Sequence, residues 1–149
     1  MKDILIKEGS LQNAYAVDST IVEFRDRYDI DEFKKRLSKP PHIILVAYSD
    51  QGKPVGYLTA YDRDHDGSIY IWMGGVSPKY RKRGVFRELY KEFLSWTMDQ
   101  GFKKIKIKTR NDKRAMLSFL VKEGFNFVLV EEKPNMLDNR IHLEKELLY

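Results

Sequence analysis

The sequence predicts an α/β fold, a mixed and mostly antiparallel sheet with one parallel strand pair and helices on both faces. Three observations lead there. Residues 69 to 109 read as strand, helix, strand, and such a βαβ unit sets its two strands parallel with a right-handed crossover. Upstream, two apolar runs flank the turn Asp50-Gln51-Gly52-Lys53 and read as a hairpin. Downstream, a second segment of helical period is followed by two more strand-like runs.

Ile4 to Ile6 is a short apolar run that predicts the first strand. From Leu11 to Leu37 the pattern is helical but interrupted: apolar residues fall at Ala14, Val17, Ile21 and Val22, then at Ile30, Phe33 and Leu37 after the acidic start Asp29-Ile30-Asp31-Glu32. Pro40-Pro41 ends it, because proline lacks the N–H that a helix needs. His42 to Tyr48 and Pro54 to Tyr61 form the hairpin. After the polar turn Asp62 to Gly67, the run Ser68 to Met73 is apolar on both faces and predicts a central strand. Gly74-Gly75 interrupts this run, and glycine inside a strand often marks a bulge or a close approach to the backbone.

The helix expected from Gly84 to Gln100 carries apolar pairs at Val85-Phe86, Leu89-Tyr90, Phe93-Leu94 and Thr97-Met98, which stack on one face, and Gly101 suits a left-handed cap. Lys103 to Thr109 is a strand with Ile105 and Ile107 on one side and lysines on the other. Asn111 or Asp112 is placed to cap a second helix with Ala115, Met116, Phe119 and Leu120 inward, closed by Gly124. Phe125 to Val130 and Arg140 to Leu147 are the last two strands.

Composition predicts one domain over residues 1–149, within the size range of a chain that buries its own core. There is no cysteine, which removes disulfides, a thiol nucleophile and thiolate metal ligands. His42, His65 and His142 show no metal-ligand spacing, so no metal is expected. The apolar run at the N-terminus is too short for a signal peptide and no segment is long enough to span a bilayer, so the chain reads as cytoplasmic. The formal net charge of +5 suits a polyanionic ligand, and the basic residues gather around Arg81 and along Lys103 to Lys108.

The chemistry concentrates in Val76-Ser77-Pro78-Lys79-Tyr80-Arg81-Lys82-Arg83-Gly84-Val85-Phe86-Arg87. Here an apolar strand runs through a basic turn into the start of a helix. The first helical turn has N–H groups without intrahelical partners, and the aligned peptide dipoles add positive potential at that end. A phosphate placed before Val85 would meet those donors with Arg81, Lys82, Arg83 and Arg87 around it. Gly84, without a Cβ, is free to take positive φ there.

This turn, with Asn111 ahead of a helix that ends in Gly124-Phe125, resembles the GNAT superfamily of acyl-CoA-dependent N-acyltransferases. The resemblance implies that the turn cradles the pyrophosphate of acetyl-CoA, the acyl donor, with Val76, Arg81, Lys82, Arg83, Gly84, Val85, Phe86 and Asn111 as its contacts. It implies a bulge in the central strand that splays it from its parallel neighbour, leaving a gap for the pantetheine arm. It implies direct transfer to a small-molecule or peptide amine, the thioester carbonyl held by a backbone N–H near Val76. Phe86 stands where the family has a small residue, Tyr70 where some members carry a glutamate, and Leu120 where many carry a tyrosine. Tyr70 and Asp62 are the candidates for proton transfer, with structural roles as wall and turn as their alternatives. Glu23, Phe24 and Tyr28 fall in the region that resembles the family's acceptor wall.

Two other readings fit parts of the pattern. The missing glutamate and tyrosine suit a module of this fold that binds acyl-CoA without transferring it. The lysine-rich strand and Arg81 to Arg87, with Tyr80 and Tyr90 nearby, suit a nucleic-acid binder, although no nucleic-acid partner is expected. The acceptor's identity and the oligomeric state are not written in the pattern.

Overall fold

The strands of the computed structural model, which describes residues 4–21 and 28–148, are β1 (Ile4–Glu8), β2 (His42–Ser49), β3 (Pro54–Tyr61), β4 (Ser68–Val76), β5 (Lys104–Arg110), β6 (Asn126–Glu131) and β7 (Arg140–Glu146). Among the described residues they form one seven-stranded sheet in the order β1-β2-β3-β4-β5-β7-β6. Every neighbouring pair is antiparallel except β4 with β5. The helices are α1 (Leu11–Asp18), α2 (Ile30–Arg36), α3 (Val85–Asp99) and α4 (Arg114–Lys122). The predicted interrupted helix is thus two helices, each with its own cap: Ser10 Oγ accepts the Asn13 N–H at 3.0 Å, and Asp29 Oδ1 accepts the Glu32 N–H at 3.0 Å.

Period-two alternation gives the sheet two cores. Leu45 and Ala47 of β2, Leu58 and Ala60 of β3, Ile69 and Ile71 of β4, and Ile105 and Ile107 of β5 pack under α3 and α4. Val46, Tyr48, Tyr57, Tyr70 and Trp72 point the other way, against Ala14 and Val17 of α1 and Phe33 of α2. β4 is therefore covered on both faces, as its doubly apolar sequence requires. On α3 the buried stripe is Val85, Leu89, Tyr90, Phe93 and Thr97. On α4 it is Leu117 and Leu120, and here the sequence expectation is corrected: Ala115 is exposed. Two residues make about 200° at 3.6 per turn, so a stripe through Leu117 puts Ala115 on the far side.

The bulge in β4 is also not where the glycines suggested. Thr59 pairs with Met73 while Ala60 pairs with Ile71, so the extra residue is Trp72. The side chains record the slip. Ile69 and Ile71 face α3, Trp72 and Met73 both join the opposite core, and Val76 is back on the α3 side. A one-residue insertion reverses the phase of every residue after it. Gly74 and Gly75 follow the bulge as paired strand residues, opposite Leu58 and Tyr57.

Candidate functional site

The parallel pairing of β4 with β5 runs only from Ser68–Lys104 to Ile71–Ile107, although β4 continues to Val76 and β5 to Arg110. The bulge at Trp72 comes directly after the last pair and bends β4 away. Beyond it the strands are open to each other. The Ser77 N–H donates to the Val55 carbonyl at 2.8 Å, which fixes residue 77 as facing β3. Antiparallel alternation then turns the N–H and C=O of Val76 away from β3, to the side that β5 has left. The Val76 carbonyl is met there by Arg81 Nε at 3.1 Å.

The chain after Val76 makes a single 3-10 turn, Pro78–Tyr80, and then takes left-handed conformation at Lys82 (φ 63°) and Gly84 (φ 78°). Gly84 is the N-cap of α3, and the first intrahelical bond is the Glu88 N–H to the Gly84 carbonyl at 3.1 Å. The N–H groups of Val85, Phe86 and Arg87 come before it, so the ladder does not use them. A Cβ at Gly84 would have nothing within 4 Å, so its positive φ, not crowding, makes glycine fit. Arg81, Lys82, Arg83 and Arg87 are exposed around this end, with the Arg83 guanidinium 5.2 Å from the Tyr80 ring centre.

Two cavities meet at the open strands. The larger, about 950 Å³, lies between the turn, the start of α3 and the start of α4, with Val76, Arg81, Lys82, Gly84, Val85 and Phe86 in its wall. The smaller, about 320 Å³, passes between β4 and β5 to the α2 face, where Tyr28, Tyr70 and Trp72 line it. Gly74, Phe86, Arg110, Lys113 and Met116 border both. Phe86 fits because the position across from it is empty. Its ring packs edge-on against Phe119 at 5.5 Å and lies over Gly74, where a Cβ would stand 3.1 Å from it.

The predicted proton-transfer residues separate. Tyr70 is 5% exposed and lines the smaller cavity, with the Arg63 guanidinium 3.9 Å from its ring centre. Burial pushes its phenol pKa up while Arg63 pulls against the shift. Asp62 lines neither cavity: it accepts the His65 N–H at 3.0 Å and closes the turn before β4. Asn111 also lines neither cavity, and it does not cap α4. Its N–H donates to the Asn139 carbonyl at 2.8 Å and its Nδ2 to the Met136 carbonyl at 3.1 Å, tying the end of β5 to the turn before β7. The cap of α4 is Lys113, which makes no side-chain capping bond. Glu23 and Phe24 lie outside the described residues. Tyr28 lines the smaller cavity 5.2 Å from Trp72.

Sequence reasoning singled out Lys108 within its basic run but missed other cations of the smaller cavity, Arg36, Arg63 and Arg140. These three come from three separate parts of the chain, so no local motif signals them. Two of the strand lysines are already paired: Lys104 with Glu144 at 3.0 Å, and Lys106 with Asp64 at 3.1 Å and Asp66 at 2.9 Å. Among the described residues no group of three His, Cys, Asp or Glu side chains is placed to hold a metal, and no helix is long and apolar enough to cross a membrane.

The stretch of chain that holds this turn and the split parallel pair is matched by a family model. Residues 10–125 match the model described as "Acetyltransferase (GNAT) family". The chain belongs to that family. Solved GNAT-fold relatives superpose over almost the whole chain. Ard1 from Thermoplasma volcanium gives a TM-score of 0.83 at 18% identity, covering 99% of each chain. The ribosomal-protein-S18-alanine N-acetyltransferase of Escherichia coli gives 0.83 at 14%, covering 96% of this chain and 93% of that one. A chain of the NatC complex bound to Gag peptide and CoA gives 0.84 at 17%, covering 98% and 99%. At these identities the likeness is one of fold. Comparison with curated protein sequences gives no match.

Proposed function

We propose that this chain transfers an acetyl group from acetyl-CoA to an amine. The observation that carries the reading is the end of β4–β5 pairing at Ile71–Ile107, beside a helix start whose first residues, Gly84 to Arg87, line a roomy cavity. The residues present fit the donor. Backbone N–H groups from Val85 to Arg87, with Arg81, Lys82 and Arg83, would hold its pyrophosphate, and the open edge of β4 would take the arm. Two to four charge-assisted bonds at about 1.5 to 3 kcal/mol each are comparable to the roughly 8 kcal/mol of a micromolar complex. The solved NatC chain of the same fold is a complex with CoA, which supports the assignment by analogy.

When bound, acetyl-CoA supplies an activated acyl carbonyl for an amine to attack. The Val76 N–H, turned towards the open side of β4, is positioned as the hydrogen-bond donor to developing negative charge. Tyr70, kept neutral by burial, is the candidate proton donor for the departing thiolate. An alkyl amine is mostly protonated at neutral pH, with a pKa of about 10.4. Neighbouring cations favour its neutral form, and the smaller cavity is lined by several. The acceptor therefore enters as the free amine, with no carboxylate among the described lining residues, and the proton its nitrogen sheds on acylation passes to solvent in the open cavity or replaces the one Tyr70 gives up.

Calorimetry with coenzyme A and thiol release in the presence of amines test this reading. Gly84→Asp puts a negative charge where the diphosphate is expected. Affinity should fall about 10- to 100-fold, the loss of one charge-assisted bond. Unchanged affinity would remove the turn from the site.

A further inference from the structure

We infer that the amine acceptor also carries an acidic group, a carboxylate or a phosphate; this rests on the acyl-transfer reading. Arg36, Arg63, Lys108, Arg110, Lys113 and Arg140 all line the smaller cavity, and no aspartate or glutamate is among its described lining residues. They converge from α2, from the turn before β4, from β5 and the loop after it, and from β7. Carboxylates paired with Arg36, Arg63 and Arg110 stand outside its described lining: Glu32 is 2.8 Å from Arg36, Asp64 3.0 Å from Arg63 and Asp112 3.1 Å from Arg110.

Arg110 and Lys113 also border the larger cavity, so part of this charge is available to the acyl donor. Arg36 and Arg63 are not so placed. Arg36 rides on α2 and Arg63 sits over Tyr70, on the face opposite α3 and the basic turn. Both lie over aromatic rings: Arg36 at 4.8 Å from the Trp72 ring centre and 5.1 Å from Tyr28, Arg63 at 3.9 Å from Tyr70. Asp64 accepts from Arg63 Nε and Nη2 at 3.0 Å each and Glu32 from Arg36 Nε at 2.8 Å, which fixes both guanidinium groups and leaves their other N–H groups for an oxyanion. The cavity thus offers an aromatic floor, fixed anion donors and a volume of about 320 Å³, the size of a small-molecule site. A polyamine would bring further positive charge among these cations. An amine with one acidic group brings the complement.

The test is thiol release with acetyl-CoA and charge-matched amines: β-alanine against β-alaninamide, phosphoethanolamine against ethanolamine, 1,4-diaminobutane as dication, and peptides with acidic or basic N-terminal residues. The acidic member of each pair should have a kcat/KM about 10-fold or more above its neutral partner. Arg63→Gln and Arg36→Gln should each erode that preference through KM, with coenzyme A affinity by calorimetry unchanged. Whether free acidic amines or acidic peptides give the higher kcat/KM tells which source supplies the ligand. Equal or better turnover of neutral or dicationic amines, or no turnover of any acidic member while coenzyme A binds, overturns the inference alone. Failure to bind coenzyme A overturns the acyl-transfer reading and takes the inference with it.

Discussion

Thr59 of β3 holds both backbone groups of Met73 in β4: its Oγ1 accepts the Met73 N–H at 3.2 Å and donates to the Met73 carbonyl at 3.0 Å. The residue is fully buried. Thr59 and Met73 pair across the strands directly beside the bulge at Trp72, and the hydroxyl adds a second tie at that point. Thr59→Val keeps the shape and removes two hydrogen bonds, each worth about 0.5–1.5 kcal/mol. Urea unfolding should show a loss in that range, with Thr59→Ser retaining much of the stability. A valine variant as stable as the parent would show that the hydroxyl does not support the bulge.

Gly74 and Phe86 form a second dependent pair. A Cβ at Gly74 would stand 3.1 Å from the Phe86 ring and 3.2 Å from the Tyr57 carbonyl, and the carbonyl belongs to a paired strand. Gly74→Ala should therefore cost about 1–3 kcal/mol, the usual range for overpacking. Adding Phe86→Leu should recover part of that loss but not all, because the carbonyl contact stays. Full recovery would place the whole strain in the ring.

The mixed sheet, its parallel pair and the left-handed Gly84 were legible because they depend on local periodicity and on a turn with its own chemistry. The bulge was legible only as an event near Gly74-Gly75. Its true place at Trp72 is set by the pairing with β3, which adjacent residues do not encode. Asn111 looked like a cap and a ligand contact from its position before α4, yet its partners Met136 and Asn139 are more than twenty residues away in sequence. For the same reason Arg36, Arg63 and Arg140 carried no signal: only tertiary packing brings them to one cavity.

The turn that carries Asp62 is locked to β5 through charge, with a definite sign in its pH dependence. Arg63 first and Lys106 second hold the Asp64 carboxyl below the usual aspartate range; Ser68 first and Lys106 second do the same for Asp66. Groups with depressed folded values stabilise above the unfolded aspartate pKa of about 3.9 and lose that contribution as pH falls through the folded values. Lys106→Met should make the folded chain less stable at neutral pH and flatten the acid side of its stability curve. The gap in melting temperature between parent and variant should narrow as pH drops below about 4. A constant gap would mean that the lysine acts by packing alone.

Tyr70 offers the last discrimination, between a wall and a proton donor. Its buried phenol titrates above the ordinary tyrosine value of about 10, with Arg63 opposing the rise, so it is protonated throughout the neutral range. If it donates to the departing thiolate, Tyr70→Phe should lower kcat by roughly 100-fold with coenzyme A affinity unchanged. The pH profile separates this from a packing effect. In the parent, turnover should fall as pH rises through the phenol's elevated pKa, because the proton to be given is then gone. In the phenylalanine variant that alkaline fall should be absent, and the acid limb, set by protonation of the acceptor amine, should remain. An unchanged kcat with an unchanged alkaline limb would assign Tyr70 to the wall of the cavity, with its ring serving as the surface on which Arg63 is held.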